Sequence, residues 1–294
     1  MKSLFDYFIL ILVRLYINLY VKTTMWFGLK LRGLGFALRI IRQEYIFNIY
    51  NLKYWFNPKC AAAYCVMPGG YWNEPETHVF LDSILAKVTG DIDFIDVGAS
   101  VGEMAIPMAA HKKVRQVTAF EPQPQCALSI KKSAQLNNLT NILVVPCAVS
   151  EKSGMINFAA TLNNPTAASV SSFNESPESH NVPCVTIDET IAPKNYNQTI
   201  ILIDVEGHEP SVLRGAIKLI NTLHPLIIFE YNNTSKKYFS LDDIRNILPA
   251  AYKFYRLRPD GDGRLDNDLI NTWNCVAVSA NTEFVEICAD LITH

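Results

Sequence analysis

The chain has 294 residues, 49% of them hydrophobic and 18% charged, with a formal net charge of -2. That length holds one or two domains with a sizeable core, and the composition excludes both a disordered chain and a polytopic membrane protein. The charge is unevenly divided. Residues 1–59 carry nine Lys or Arg against Asp6 and Glu44, a net of +7, and residues 60–294 carry 17 bases against 26 acids, a net of -9. An acidic body without a basic stripe argues against nucleic acid as a partner, because phosphate neutralisation needs clustered cations. The seven cysteines are scattered and form no CxxC pair. They point to buried free thiols in a reducing, cytoplasmic setting and away from a zinc site.

Leu4 to Val21 reads LFDYFILILVRLYINLYV. Its uninterrupted apolar run, Tyr7 to Val13, is too short for a bilayer, which takes ~20 residues. Arg14, Asn18 and Lys22 recur every four residues and form one polar stripe on a helix otherwise covered by Leu, Ile, Tyr and Phe. No small-residue cleavage site follows, which argues against a secretory signal. Trp26, Phe27 and the bases up to Arg42 continue the mixture of rings and cations expected at a headgroup boundary. Three placements are open: a helix lying in a membrane interface, a helix packed on the body or a second subunit, and a tilted single span. Residues 1–59 are thus expected to be a hydrophobic, basic, helical segment associated with a membrane surface. Residues 60–90 form a helical lead-in to a main domain at 91–294.

From Asp91 short apolar runs alternate with helical stretches. DFIDVGA precedes a helix to about Lys112, VTAFEP a helix to about Asn137, and IILIDVEG a helix to about Leu223; NILVVPCAV and LIIFEYN complete the set. The alternation predicts a doubly wound α/β domain with a mostly parallel sheet. Such sheets bind ligands at the carboxyl ends of their strands, so the candidate residues are those just after each run.

After the first run come Asp96, Gly98, Ser100, Gly102 and Glu103. The glycines permit a tight turn and close approach of a ligand to backbone. An acid at each end of the loop would repel pyrophosphate, and Ser100 breaks the dinucleotide triplet. The loop suits a cationic ligand such as the methionyl part of S-adenosylmethionine. Glu121 ends the second run at a spacing suited to ribose hydroxyls, and a solvated strand-end acid is the plain alternative. Cys147 and Ala148 end the third run, where an adenine ring can lie or ordinary core can form. The fourth gives Asp204, Glu206, His208 and Glu209, with Pro210 opening a helix striped by Val212, Leu213, Ala216, Ile217 and Ile220. Glu230 ends the fifth.

Together DVGASVGEMAI, AFEPQP, VPCAVSEKSGMINF, VTIDETI, ILIDVEGHEPSVLRGA and HPLIIFEYN resemble the FkbM-type methyltransferase family, in order and spacing, from about Phe94 to Val278. The resemblance implies a class I, Rossmann-like fold, with WNCVAVS as an antiparallel terminal strand and residues 1–59 as a helical extension. It implies S-adenosylmethionine as cofactor, its methionyl part held by Asp96, Gly98 and Gly102 and its ribose by Glu121. Asp204 and Glu206 would stand nearest the methyl group and acceptor. Two positions depart from the family, which usually has Asn in place of Ser100 and Lys in place of Leu202. Pro107 removes one hydrogen bond from the helix after the loop.

The chemistry expected is O-methyl transfer to a hydroxyl of a sugar, a glycolipid or a related small molecule. Asp204, or else His208, would serve as base, and Glu206 and Glu230 would orient the acceptor. A divalent cation among Asp204, Glu206 and Glu230 is a rival within that class, since clustered carboxylates favour hard cations. A silent membrane-associated scaffold, suggested by the missing Lys, is the rival from another class. Tyr252 to Trp273 is expected to be a hairpin that either overhangs the acceptor or stays solvated, and Asn163 to His180 a mobile loop.

Overall fold

A computed structural model of the chain describes residues 4–27, 34–161, 164–170, 179–192, 198–270 and 272–292. In chain order the elements are α1 (Leu4–Phe27), α2 (Leu34–Arg39), β1 (Tyr45–Ile49), β2 (Leu52–Phe56), two short 3-10 turns, α3 (Pro75–Lys87), β3 (Ile92–Val97), α4 (Ala105–Ala110), β4 (Val114–Phe120), α5 (Pro124–Leu136) and β5 (Ile142–Val145). There follow β6 (Ala148–Val149), β7 (Gly154–Thr161), β8 (Asn164–Val170), β9 (Ser179–Val185), α6 (Ile187–Thr190), β10 (Gln198–Ile203), α7 (Glu209–Arg214), α8 (Ile217–Leu223) and β11 (Leu226–Glu230). The last are α9 (Leu241–Ile247), β12 (Tyr252–Leu257), β13 (Leu265–Asp266), β14 (Asn274–Ser279) and α10 (Phe284–Ala289).

Eight strands form the main sheet in the order β13-β12-β14-β11-β10-β3-β4-β5. The five from β11 to β5 are parallel, and β14 inserts antiparallel between β11 and β12. Side chains alternate across the pleat, so each apolar run feeds two cores. Phe94, Ile200, Leu202 and Ile228 face α3, α4, α5 and α10 in one core, and Ile95, Val97, Ile201, Ile203 and Phe229 face α7, α8 and α9 in the other. A smaller sheet, β6-β9-β7-β8, sits between β5 and β10 in the chain.

The N-terminal part differs from a uniformly helical segment. Residues 45–56 form an antiparallel hairpin, because Tyr45, Phe47 and Ile49 are buried while Ile46 and Asn48 between them are exposed, a period of two. In α1, Val13 and Ile17 enter the first core. Gly69 lies under Ile17, where a Cβ would stand 2.5 Å from the Ile17 side chain, and the Tyr71 hydroxyl donates to Asn18 at 2.6 Å. Among the described residues no helix is long and apolar enough to cross a membrane, so the tilted span is set aside. Lys30 and Arg32 lie outside the described residues.

Two further expectations change. Within Asn163–His180, expected to be a loop, residues 164–170 pair with β7 as β8, and β9 begins at Ser179; residues 163 and 171–178 lie outside the described residues. The helix expected from Pro210 to Leu223 breaks at Gly215, which passes so close to Ser150 that a Cβ would stand 2.1 Å from that carbonyl. Asp188 then caps α8 by accepting from the Lys218 and Leu219 N–H groups, each at 2.9 Å. At Pro107 the Glu103 carbonyl loses its ladder partner, and the Tyr54 hydroxyl reaches it at 3.5 Å. Replacing Gly215 by Ala should cost about 1–3 kcal/mol, read as a lower midpoint in urea unfolding; an unchanged midpoint would show that the segment at Ser150 yields freely.

Candidate active site

The chain runs outward from β3 through β4 to β5, then returns to β10 on the other side of β3. This reversal opens a crevice at the carboxyl ends of β3 and β10. Gly98 follows β3 with φ at +88°, and a Cβ there would lie 1.9 Å from the Asp204 carbonyl oxygen. The Gly98 and Ala99 N–H groups both donate to the Phe120 carbonyl at 3.0 Å. Ser100, with φ at 49°, donates its N–H to Glu121 Oε2 at 2.8 Å, and Gln123 N–H donates to Oε1 at 2.7 Å. One turn thus ties the ends of β3, β4 and β10 together. Gly102 packs on Ile106 and Ile130 instead of lining the crevice, a Cβ there meeting them at 3.1 and 3.3 Å.

Two cavities share Gly98, Ser100, Asp204 and Glu206 as a common wall. The smaller, about 110 Å³, is lined by Phe120, Glu121, Cys147, Ala148, Phe158 and His208. The larger, about 1220 Å³, is bounded by Asp96, Glu103, Asp204, Glu206, Glu230 and Asn232, and by Pro259, Asp260 and Gly261 of the loop after β12. The hairpin expected at Tyr252–Trp273 therefore overhangs this cavity.

Eight carboxyl groups line the larger cavity (Glu74, Glu76, Asp96, Glu103, Asp204, Glu206, Glu230 and Asp260), and no Lys, Arg or His is among its described lining residues. Leu202, in the place where the family resemblance expects Lys, is part of that wall. Burial first, and then the neighbouring carboxylates, drive several of these pKa values upward. Burial, then Glu121 and Glu74, push Asp96 up to about 8. Burial, then Glu206 and Glu209, push Glu230 up to about 8. Asp204 is raised well above its ordinary value by burial and Glu230. Asp96 is 3% exposed, and its Oδ2 has no hydrogen-bond partner. A buried carboxylate oxygen left open beside a glycine turn fits the ammonium of an amino-acid moiety. Glu121, raised by burial to about 7, faces the smaller cavity, where it suits hydroxyls.

The strand β10 ends at Ile203, so Asp204 and Glu206 sit in the loop beyond it, Glu206 with φ at 54°. Asp204, Glu206 and Glu230 nevertheless converge, with one carboxylate oxygen from each within 4.8 Å of the others. Glu230 accepts from the Asn232 amide and, at 3.2 Å, from the Ser235 hydroxyl. His208 is set apart from this group. It lines the smaller cavity, its Nε2 lies 3.0 Å from Ser150 Oγ, and burial lowers its pKa to about 4, all unfavourable to a base for an acceptor in the larger cavity.

Glu74 and Asn274 were not among the residues singled out from the sequence. Glu74 Oε2 accepts from Asn274 at 2.8 Å and from Thr77 at 3.0 Å, and burial with Glu103 raises it to about 7. In the sequence Glu74-Pro75-Glu76 reads as an ordinary helix start; only the fold brings it to the strand ends.

Residues 96–256, over half of the chain, match the family model for the methyltransferase FkbM domain. The chain belongs to the FkbM methyltransferase family. The family is a class I, Rossmann-like group that uses S-adenosylmethionine. No curated protein matches the chain. Among solved structures it is similar to methyltransferase FkbM from Methylobacillus flagellatus KT, at 18% identity over 76% of this chain and 55% of that one, with a TM-score of 0.48. It thus spans about half the length of that relative. It is also similar to M. jannaschii TYW2 in complex with AdoMet (10% identity, 80% of this chain and 84% of that one, TM-score 0.41) and to an rRNA methylase from Streptococcus thermophilus (10%, 69% and 95%, TM-score 0.41).

The raised carboxyls link stability to pH with a definite sign. Their pKa values in the fold, about 7 for Glu74 and Glu121 and about 8 for Asp96 and Glu230, exceed the unfolded ones. The protonated forms therefore favour folding: their contribution is complete below about pH 4 and is lost as pH climbs through 7 to 8. The melting temperature of the ligand-free protein should fall between about pH 5 and 8, with a shallower fall in Asp96→Asn. Calorimetric melts showing no slope over that range would contradict this.

Proposed function

We propose that the protein transfers a methyl group from S-adenosylmethionine to a hydroxyl of a neutral polar acceptor, such as a sugar or a glycolipid headgroup. The observation that carries this is the meeting of two unlike cavities at Asp204 and Glu206. One has a carboxylate and a narrow apolar cleft suited to a nucleoside; the other has an open buried carboxylate and room beyond it. S-adenosylmethionine, when bound, supplies the activated methyl group. Asp96 would hold its ammonium and Glu121 its ribose, and Cys147 and Ala148 would border its base. The larger cavity exceeds the ~300–1,000 Å³ usual for small-molecule sites, which leaves space for an acceptor beside the methionyl moiety.

An acceptor hydroxyl is weakly acidic and gains from a base that takes its proton. Asp204 has the position; burial and Glu230 hold its carboxyl well above the ordinary range in the empty site, and the sulfonium and ammonium of a bound cofactor would draw it down again so that the carboxylate can act as base. Glu206, Glu230 and Glu74 would accept hydrogen bonds from the acceptor's other hydroxyls. The absence of bases from the described lining favours neutral acceptors over phosphorylated ones, nucleic acid included. Asp204→Asn should keep its affinity for S-adenosylhomocysteine and lose ~10²–10⁴-fold in turnover; unchanged turnover would remove Asp204 as the base.

The convergence of Asp204, Glu206 and Glu230 also supports a second reading, in which a divalent cation holds the acceptor oxygen there. Activity that survives strong chelator would dismiss the cation; activity lost and then restored by added Mg²⁺ or Mn²⁺ would establish it.

A further inference from the structure

Helix α1 has two apolar faces. One is buried, with Val13 and Ile17 in the core and Leu10 and Val21 packed against it. On the opposite side Phe8, Ile11, Leu12, Leu15 and Leu19 are each between 41% and 60% exposed. Their spacing of three and four residues puts all five on one stripe. A single exposed leucine needs no explanation, but a continuous stripe of large apolar side chains marks a surface that meets something. The exposed bases Arg14 and Lys22 border the stripe, with Asn18 between them held by Tyr71.

Charge selects the occupant. The part of the chain that carries the stripe, residues 1–59, has a net charge of +7, and the remainder has -9. A second copy of this chain, meeting the stripe with its own stripe, would bring like charge against like. An anionic lipid surface attracts the basic segment and repels the acidic remainder, which favours an orientation as well as contact. No helix among the described residues is suited to cross a bilayer, so the helix would lie along the surface with its inner face still packed on the body.

We propose that the outer face of α1 docks this protein on an anionic lipid bilayer, with Phe8, Ile11, Leu12, Leu15 and Leu19 entering the headgroup boundary and Arg14 and Lys22 meeting lipid phosphates and carboxylates. Thr24, on the body side of the same helix, lines the larger cavity together with Ala63 and Cys65. That cavity wall would then lie about one helix diameter, ~10–12 Å, from the bilayer surface. The proposal stands apart from the methyl-transfer reaction, since it is read without cofactor or acceptor.

The test is flotation of the full chain with phosphatidylcholine vesicles, with and without phosphatidylserine. Binding should be at least ~10-fold tighter to the phosphatidylserine vesicles and should weaken as salt is raised. The double substitution Leu12→Glu and Leu15→Glu should abolish it, and Leu143→Glu, at an exposed position on β5, should leave it unchanged. Both altered residues of the double variant are exposed, so its melting temperature should match that of the parent. If the double variant is destabilised all the same, the lipid and salt dependence of the parent still decides. A folded parent chain that ignores phosphatidylserine vesicles at low salt would overturn the proposal. So would equal, salt-insensitive binding to both vesicles, or a stable dimer by light scattering that the double substitution turns into monomers.

Discussion

The carboxyl ends of β3 and β10 come together because position 98 has no side chain. A Cβ there would stand 1.9 Å from the Asp204 carbonyl oxygen, and no rotamer could relieve a contact with backbone. With Gly98 in place, the turn after β3 folds back so that its N–H groups reach the Phe120 carbonyl and the Glu121 carboxylate. The same approach sets Asp204 and Glu206 as the wall between the two cavities. The proposed cofactor site, acceptor space and base all depend on it.

Electrostatics is the second constraint. Eight carboxyls surround a cavity with no base among its described lining, and Leu202 gives apolar surface where the family resemblance expects a cation. Burial and mutual repulsion raise Glu74, Asp96, Asp204 and Glu230 toward neutrality, so protons take the place of counter-ions there. A bound ammonium at Asp96 would relieve part of that repulsion. Glu121 is different: two backbone N–H groups hold it, and it is raised less than Asp96.

The sheet was legible in the sequence because each buried strand holds a short apolar run with an acid at or just past its carboxyl end, and Asp96, Glu121, Asp204 and Glu230 are those acids. What could not be read lies in contacts between distant segments. Glu74 and Asn274 are 200 residues apart and meet only in the fold. The break at Gly215 depends on the path of Ser150, in the connection after β6. Residues 45–56 were hidden within a strongly hydrophobic stretch, where a period of two is hard to separate from the helical pattern before it. The Ser-, Asn- and Pro-rich stretch before β9 has a loop's composition, yet residues 164–170 gain a strand partner in β7, an override of propensity by tertiary context.

Calorimetric titration of the full chain with S-adenosylhomocysteine is the most direct test of the central claim, that the crevice at the ends of β3, β4 and β10 is a cofactor site. Micromolar binding is expected, and Asp96→Ala and Glu121→Ala should each weaken it by roughly tenfold or more, as loss of a charge-assisted hydrogen bond requires. Absence of binding by a folded protein, or binding indifferent to both substitutions, would contradict it.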